Sequence, residues 1–220
     1  MDFTRVVNTQ LIDIQRLFFT PLACVRHPDA KTLNQALMKT INARMEQDQS
    51  GVTHSNRGGW QSHTDFSAWA GSAGEALLTF ASDFATQLTA VSSPEHGLIE
   101  PGFTWKCDAW ANVNQEGNSN AIHGHPGAFW SGVYWVDDGG RTEDPGVDGD
   151  LEFCDPRGLL PSHYNPSLRM RIEGCLTAGY AQSFAAKSGT LIMFPSWLLH
   201  SVRAFKGKRP RVSIAFNFSV

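Results

Sequence analysis

Three histidines, an arginine and a serine carry the chemistry that is legible in this sequence. His123 and His125 stand two positions apart in His123-Gly124-His125-Pro126-Gly127. In an extended segment an i, i+2 pair shares one face, so both rings can address one metal ion from a strand end. Imidazole is the commonest side-chain ligand for zinc, iron and copper. His200 ends a distant apolar run, residues 191–199, and offers a third ligand from a separate strand. Downstream stand Arg211 and Ser213. A guanidinium is a planar fork that donates two parallel hydrogen bonds to a carboxylate, and a neighbouring hydroxyl adds a third. Each histidine taken alone is more often a loop residue or a satisfied core residue. The set taken together points to a metal site with an anion-binding arginine beside it.

Such a site needs strands to hold it. The last segment alternates Val212, Ile214, Phe216 and Phe218 with Arg211, Ser213, Ala215, Asn217 and Ser219. With the apolar face packed under helices, the polar face looks into the hollow of a jelly roll; in an ordinary sandwich it would meet solvent. The apolar run at residues 129–136 reads as a buried strand that leaves the histidine segment. Upstream, Asp29 is expected to cap a helix over residues 30–47, with Leu33, Leu37, Ile41 and Met45 as its apolar stripe. A second helix is expected over residues 73–91, burying Leu77, Phe80, Ala81, Phe84 and Leu88 and ended by residues 92–97. Leu17-Phe18-Phe19 and Leu22-Ala23-Cys24-Val25 read as a strand interrupted at Pro21. Residues 50–63 read as a polar, Gly-rich surface loop, long enough to serve as a lid or substrate contact.

From Gly102 the period changes to two, with Phe103, Trp105, Cys107 and Ala109 on one face and Thr104, Lys106, Asp108 and Trp110 on the other. Asn112, Asn114 and Asn118 are placed in a turn-rich lead into the histidines. An acidic, Gly-rich loop over 137–149, a strand at 150–154, an irregular connection to about residue 179 and strands at 180–186, 189–195, 200–205 and 211–219 complete the chain. The expected class is α+β, mainly β: a jelly roll or sandwich with flanking helices, in one domain over residues 1–220.

Composition narrows the partners. The 220 residues carry a net charge of −3 without basic blocks, which argues against nucleic acid as a main partner. Cys24, Cys107, Cys154 and Cys175 form no CxxC pair, so neither a zinc knuckle nor a redox dithiol is expected. The N-terminal residues do not read as a secretory signal, and no run reaches the roughly 18 apolar residues of a membrane span. A cytoplasmic protein with free thiols is expected, with a homodimer as the base-rate assembly.

Residues 123–136, the segment Leu151-Glu152-Phe153-Cys154-Asp155-Pro156-Arg157, and residues 189–200 and 211–217 resemble the 2-oxoglutarate/Fe(II)-dependent oxygenases of the small bacterial and phage type. Ser55-Asn56-Arg57-Gly58-Gly59-Trp60-Gln61-Ser62 is similar to a motif near the start of that family. The resemblance implies a double-stranded β-helix (jelly roll), Fe(II), 2-oxoglutarate as co-substrate and molecular oxygen. It matches His123 and His200 to the two histidines of the metal site. Arg211 with Ser213 matches the pair that binds the distal carboxylate of 2-oxoglutarate. Asn112, Asn114 and Tyr134 are polar groups expected near the co-substrate, against the alternatives of turn asparagines and a core tyrosine.

One position departs from the wider superfamily, which has Asp or Glu two residues after the first histidine; here it is His125. His125 as third ligand is preferred. Asp155 supplying a carboxylate, or a His125-x-Gly127 pattern with a halide in the open position, are the other readings. The activity implied is hydroxylation of a small molecule or a peptide side chain, with release of succinate and CO2 and no catalytic residue beyond the metal ligands. The competing classes are a cupin-like metal-dependent isomerase or hydrolase, and a non-catalytic jelly-roll binding module.

Overall fold

The computed structural model describes residues 13–15, 17–159, 163–172, 175–176 and 178–220. The chain runs through β1 (Ala23–Arg26), α1 (Ala30–Gln47), β2 (Asn56–Arg57), β3 (Trp60–Gln61), α2 (Phe66–Trp69) and α3 (Gly71–Gln87). A hairpin of β4 (Val91–Ser93) and β5 (Gly97–Ile99) follows. Then come β6 (Lys106–Asn114), β7 (Ser119–His123), β8 (Trp130–Asp137), β9 (Leu151–Phe153), β10 (Gln182–Phe184), β11 (Thr190–Pro195), β12 (His200–Val202) and β13 (Arg211–Ser219).

Two antiparallel sheets face each other. The major sheet has the order β1-β11-β8-β13-β6-β3 and the minor sheet β10-β9-β12-β7-β2. From β6 to β13 the chain passes back and forth between them, with β9 and β10 as the one consecutive pair in the same sheet. This is a double-stranded β-helix, as the sequence pattern and the resemblance led us to expect.

Strand alternation decides which side chains meet the site. Val212, Ile214, Phe216 and Phe218 face the helices, where they pack with Leu37, Ile41, Leu77 and Ala81. Trp135, Leu151, Phe153, Ile192, Phe194 and Leu198 form a second cluster toward the minor sheet. Fully burying an aliphatic or aromatic side chain stabilises by about 1.5–3 kcal/mol. The two-layer packing therefore fixes the register of β13 firmly, because a slip by one residue would bury Arg211 under the helices.

Several expectations change. α1 has the expected bounds, but the Asp29 side chain makes no capping hydrogen bond. Instead the Asp29 backbone N–H donates to His27 Nδ1 at 3.1 Å. α3 ends at Gln87, leaving Leu88 exposed at its C-terminal end, and residues 91–99 form the hairpin rather than a helix end. The Thr89 hydroxyl donates to the Ala85 carbonyl and accepts from Trp130 Nε1, which pins the turn where the helix stops. Leu17, Phe18 and Phe19 are exposed and outside any strand, Phe18 having φ +56°. The expected loop at 50–63 carries β2 and β3, which add to different sheets.

Candidate metal centre

His123 is the last residue of β7 and pairs directly with His200, the first residue of β12. His125 lies just beyond β7, where its backbone N–H donates to the Ser196 carbonyl at 3.0 Å. Gly124 sits between the two histidines; a Cβ there would come within 3.3 Å of Leu199 Cδ2, so a bulkier residue would crowd the turn that seats His125. Ring centroids are 5.0 Å apart for His123 and His125, 4.4 Å for His123 and His200, and 5.2 Å for His125 and His200. Ligand-capable atoms of the three all lie within 4.8 Å of one another. An ion bonded at about 2 Å needs only small ring movements to join them.

The tautomers suit this role. His123 Nδ1 lies 2.7 Å from the Ala121 carbonyl and His200 Nδ1 lies 2.8 Å from the Leu198 carbonyl. A carbonyl can only accept, so each Nδ1 carries the proton and each Nε2 keeps its lone pair for a metal. Burial lowers the pKa of all three rings: His123 below its ordinary value, His125 to about 4 and His200 to about 3. Mutual repulsion between imidazolium charges adds to the effect at His125 and His200. The trio is neutral at physiological pH, which is the state that binds metal.

The cavity beneath the histidines has a volume of about 600 Å³. On the major sheet, the rows of β6, β13 and β8 that face the cavity run in cross-strand tiers, of which Asp108 at the exposed end and the buried Trp135 stand outside the cavity lining. Asp108, Asn217 and Ser131 align, then Trp110, Ala215 and Val133, then Asn112, Ser213 and Trp135; Asn114 lies opposite Arg211 beyond them. Arg211 is 2% exposed and its Nε has no partner. Among the described residues no acceptor receives a hydrogen bond from its guanidinium. Asp150, the acid whose charge most offsets the burial of Arg211, is held by Arg141 through two bonds of 2.7 and 2.9 Å. Burial lowers the Arg211 pKa to about 10, with Asp150 and Asp138 opposing, so the group stays cationic. A buried cation with unsatisfied donors is costly unless an anion completes it. This is the observation that fits a dicarboxylate co-substrate, and the imidazole trio fits a divalent metal.

The structure brings His123, His125, His200, Arg211, Ser213, Asn112 and Asn114 to one cavity. Asn112 and Asn114 are corrected from turn positions to β6, Asn114 being its last residue. Tyr134 goes elsewhere: it shares the helix-facing side of β8 with Trp130 and Val136, and its hydroxyl donates to Asn34 Oδ1 at 2.6 Å. It is absent from the cavity lining, so the alternative of a core tyrosine holds and Tyr134 does not stand near the co-substrate cavity. Asp155 accepts from Arg157 and from the Gly179 N–H, and borders a different cavity with Arg157. Trp60 and Trp130 are buried packing residues that donate to the Asp48 carbonyl and Thr89. Sequence reasoning missed Trp110 and Gln61 as lining residues; the inward parity of β6 could have found the former.

A double-stranded β-helix with an imidazole trio at its mouth and a buried guanidinium on its last strand defines a jelly-roll protein whose cavity fits a metal and an anion. The family model described as "Putative 2OG-Fe(II) oxygenase" matches residues 108–217, half of the chain. The chain belongs to this family, and is thus an oxygenase that uses Fe(II) and 2-oxoglutarate.

Solved structures agree on the fold. A prolyl-4-hydroxylase from Pseudomonas putida superposes with TM-score 0.61 and 16% identity, covering 91% of this chain and 92% of that one. A prolyl hydroxylase from Trichoplax adhaerens, in complex with a hypoxia inducible factor peptide fragment, gives 0.60 and 8%, covering 90% and 83%. A viral collagen prolyl hydroxylase from Paramecium Bursaria Chlorella virus-1, in complex with 2OG, gives 0.55 and 12%, covering 90% and 96%. No curated protein sequence matches the chain. No helix among the described residues is long and apolar enough to cross a membrane.

Proposed function

We propose that His123, His125 and His200 hold the iron of a hydroxylase, and that Arg211 and Ser213 hold the distal carboxylate of 2-oxoglutarate. The carrying observation is the buried, acceptor-free guanidinium of Arg211 in the cavity over which three neutral imidazoles converge. Asn112 and Asn114, on the tiers of Ser213 and Arg211, frame the same anion. The three-histidine reading is supported by the His125 ring standing inside the trio, and by the engagement of Asp155 with Arg157 elsewhere. It also leaves the His125-x-Gly127 alternative without a role for His123, whose ring is oriented by the Ala121 carbonyl.

When bound, Fe(II) with 2-oxoglutarate supplies oxygen activation for attack on a C–H bond, with succinate and CO2 as by-products. The chain supplies position. Arg211 fixes one end of the co-substrate as a bidentate donor. The Ala121 and Leu198 carbonyls hold the His123 and His200 rings in their metal-binding tautomer. Phe153 and Phe194 pack against His200 and keep water from its inner side. The primary substrate is a small molecule or a peptide side chain, the latter in keeping with the peptide held by the Trichoplax enzyme.

The test is anaerobic titration of the Fe(II) protein with 2-oxoglutarate, followed by oxygen. A visible charge-transfer absorption and then succinate are expected; His200→Ala removes both, and Arg211→Ala weakens both. Tight metal binding with neither signal would favour another metal-dependent class.

A further inference from the structure

The tiers beyond the metal, away from Arg211, contain a second ordered polar group that the co-substrate does not use. Asn217 is six residues along β13 from Arg211, roughly 20 Å at the usual rise of a strand. Ser131, 1% exposed on the neighbouring strand, donates from Oγ to Asn217 Oδ1 at 2.8 Å. This bond fixes which way the amide faces. It leaves the Asn217 Nδ2 hydrogens without a protein acceptor among the described residues, on a side chain that lines the cavity. One tier inward is Trp110, half-buried and also lining the cavity, its ring 5.8 Å from that of His125. Trp110 thus stands beside the metal trio, between Asn217 and the co-substrate tiers.

The charges around this place are few. Among the described residues Arg211 is the one Lys or Arg side chain that lines the cavity, and no Asp or Glu does so. Asp108, on the tier of Asn217, is exposed at the outer end of the row. An amide N–H donor one tier from an indole on the same cavity wall fits a carbonyl acceptor next to an apolar or planar group. A free carboxylate could accept the same bond but would stand next to Asp108 in a tier with no cation.

We propose that Asn217, oriented by Ser131 and flanked by the Trp110 indole, is the subsite that positions the primary substrate through a neutral amide carbonyl. This rests on the oxygenase reading above and narrows its substrate to amide-bearing molecules, such as peptide segments. Substrate held there lies over the His125 side of the metal trio, opposite the arginine-anchored end of the co-substrate.

The probe is a panel of N-acetyl amino-acid amides, each paired with its N-acetyl free acid. Binding to the Fe(II)- and 2-oxoglutarate-loaded protein is read without oxygen by calorimetry and by the change in visible absorption. At least one amide is expected to bind more tightly than its acid. Asn217→Asp should weaken it by about tenfold or more, Ser131→Ala by a smaller factor because the amide is free to turn, and Trp110→Ala more than Trp110→Phe. Asn217→Ser removes the amide without adding charge and serves if the aspartate variant does not fold. The affinity for 2-oxoglutarate is measured in parallel. If 2-oxoglutarate binds but no amide does, or an amide binds wild type and Asn217→Asp alike, the subsite is overturned and the oxygenase reading stands. If 2-oxoglutarate itself does not bind the wild type, both fall.

Discussion

At the scale of single residues, the site is a set of groups left in states they would not choose alone. Arg211 is the clearest. Replacing it by lysine keeps the charge and loses the fork, so a bidentate carboxylate contact becomes a point contact. We expect Arg211→Lys to raise the Kd for 2-oxoglutarate by about tenfold or more, and Arg211→Ala by about 2–5 kcal/mol, read from anaerobic titration. Metal affinity, measured separately with Mn(II), should change little. The histidines give a pH prediction. Their folded pKa values are depressed, to about 4 for His125 and about 3 for His200, against about 6.5 in an unfolded chain. Between those values the unfolded chain binds more protons than the folded one, so stability rises with pH in that window. The metal-free protein should therefore be most stable above pH ~6.5 and lose stability as the pH falls toward 4, as followed by thermal melts. His200→Phe, which removes the most buried of the three rings, should flatten that loss.

At the scale of elements, the question is which residues of a strand face which way. β13 was legible because its apolar and polar residues alternate without a break, and the bounds of α1 were legible because its stripe is regular. The site followed from these: an inward Arg211 and Ser213 are what an outward Val212 and Ile214 require. Three things were not legible. Asn112 and Asn114 prefer turns when taken alone, but β6 holds them between Trp110 and the end of a nine-residue strand whose other face is Ala109, Ala111 and Val113. Tyr134 lies in a run apolar on both faces, so no alternation marks which side it takes. Residues 50–63 pair with strands distant in sequence, which no local signal reveals. The Tyr134 correction is testable. Its hydroxyl ties β8 to α1 through Asn34, whose Nδ2 donates to the Val136 carbonyl at 2.7 Å. Tyr134→Phe should cost about 1 kcal/mol of stability in denaturant unfolding, since one buried hydrogen bond is lost. The affinity for 2-oxoglutarate should stay as in the wild type. A selective loss of co-substrate affinity would instead return Tyr134 to the site.

At the scale of the whole molecule, the two sheets must be held apart enough to leave a cavity and together enough to keep the three histidine rings converged. Opposed pairing does the second: His123 and His200 sit on adjacent strands of the minor sheet, while Arg211 and Ser213 lie on the major sheet across the cavity. The segment around residues 48–65 does something similar at the open edge. β2 adds to β7 on the minor sheet and β3 adds to β6 on the major sheet, so four residues and the turn between them bridge both layers. Gly58 and Gly59 make that turn at φ +69° and +73°, where side chains are strained. At Gly59 a Cβ would also stand 2.9 Å from the Val113 carbonyl oxygen. The Ser55 carbonyl accepts from the Ala121 N–H at 2.8 Å, two residues from His123, so the strap is joined to the strand that carries His123. Gly59→Ala is therefore expected to cost about 1–3 kcal/mol, and to act through the strap rather than the core. Amide hydrogen exchange should quicken in β2, β3 and β7 while the β8–β13 pairing stays protected. A uniform rise in exchange across both sheets would show instead that the strap is part of the global folding unit. If the local result holds, the same variant should retain the affinity for 2-oxoglutarate that we propose resides at Arg211, which lies on the major sheet, and loosen the positioning of His123.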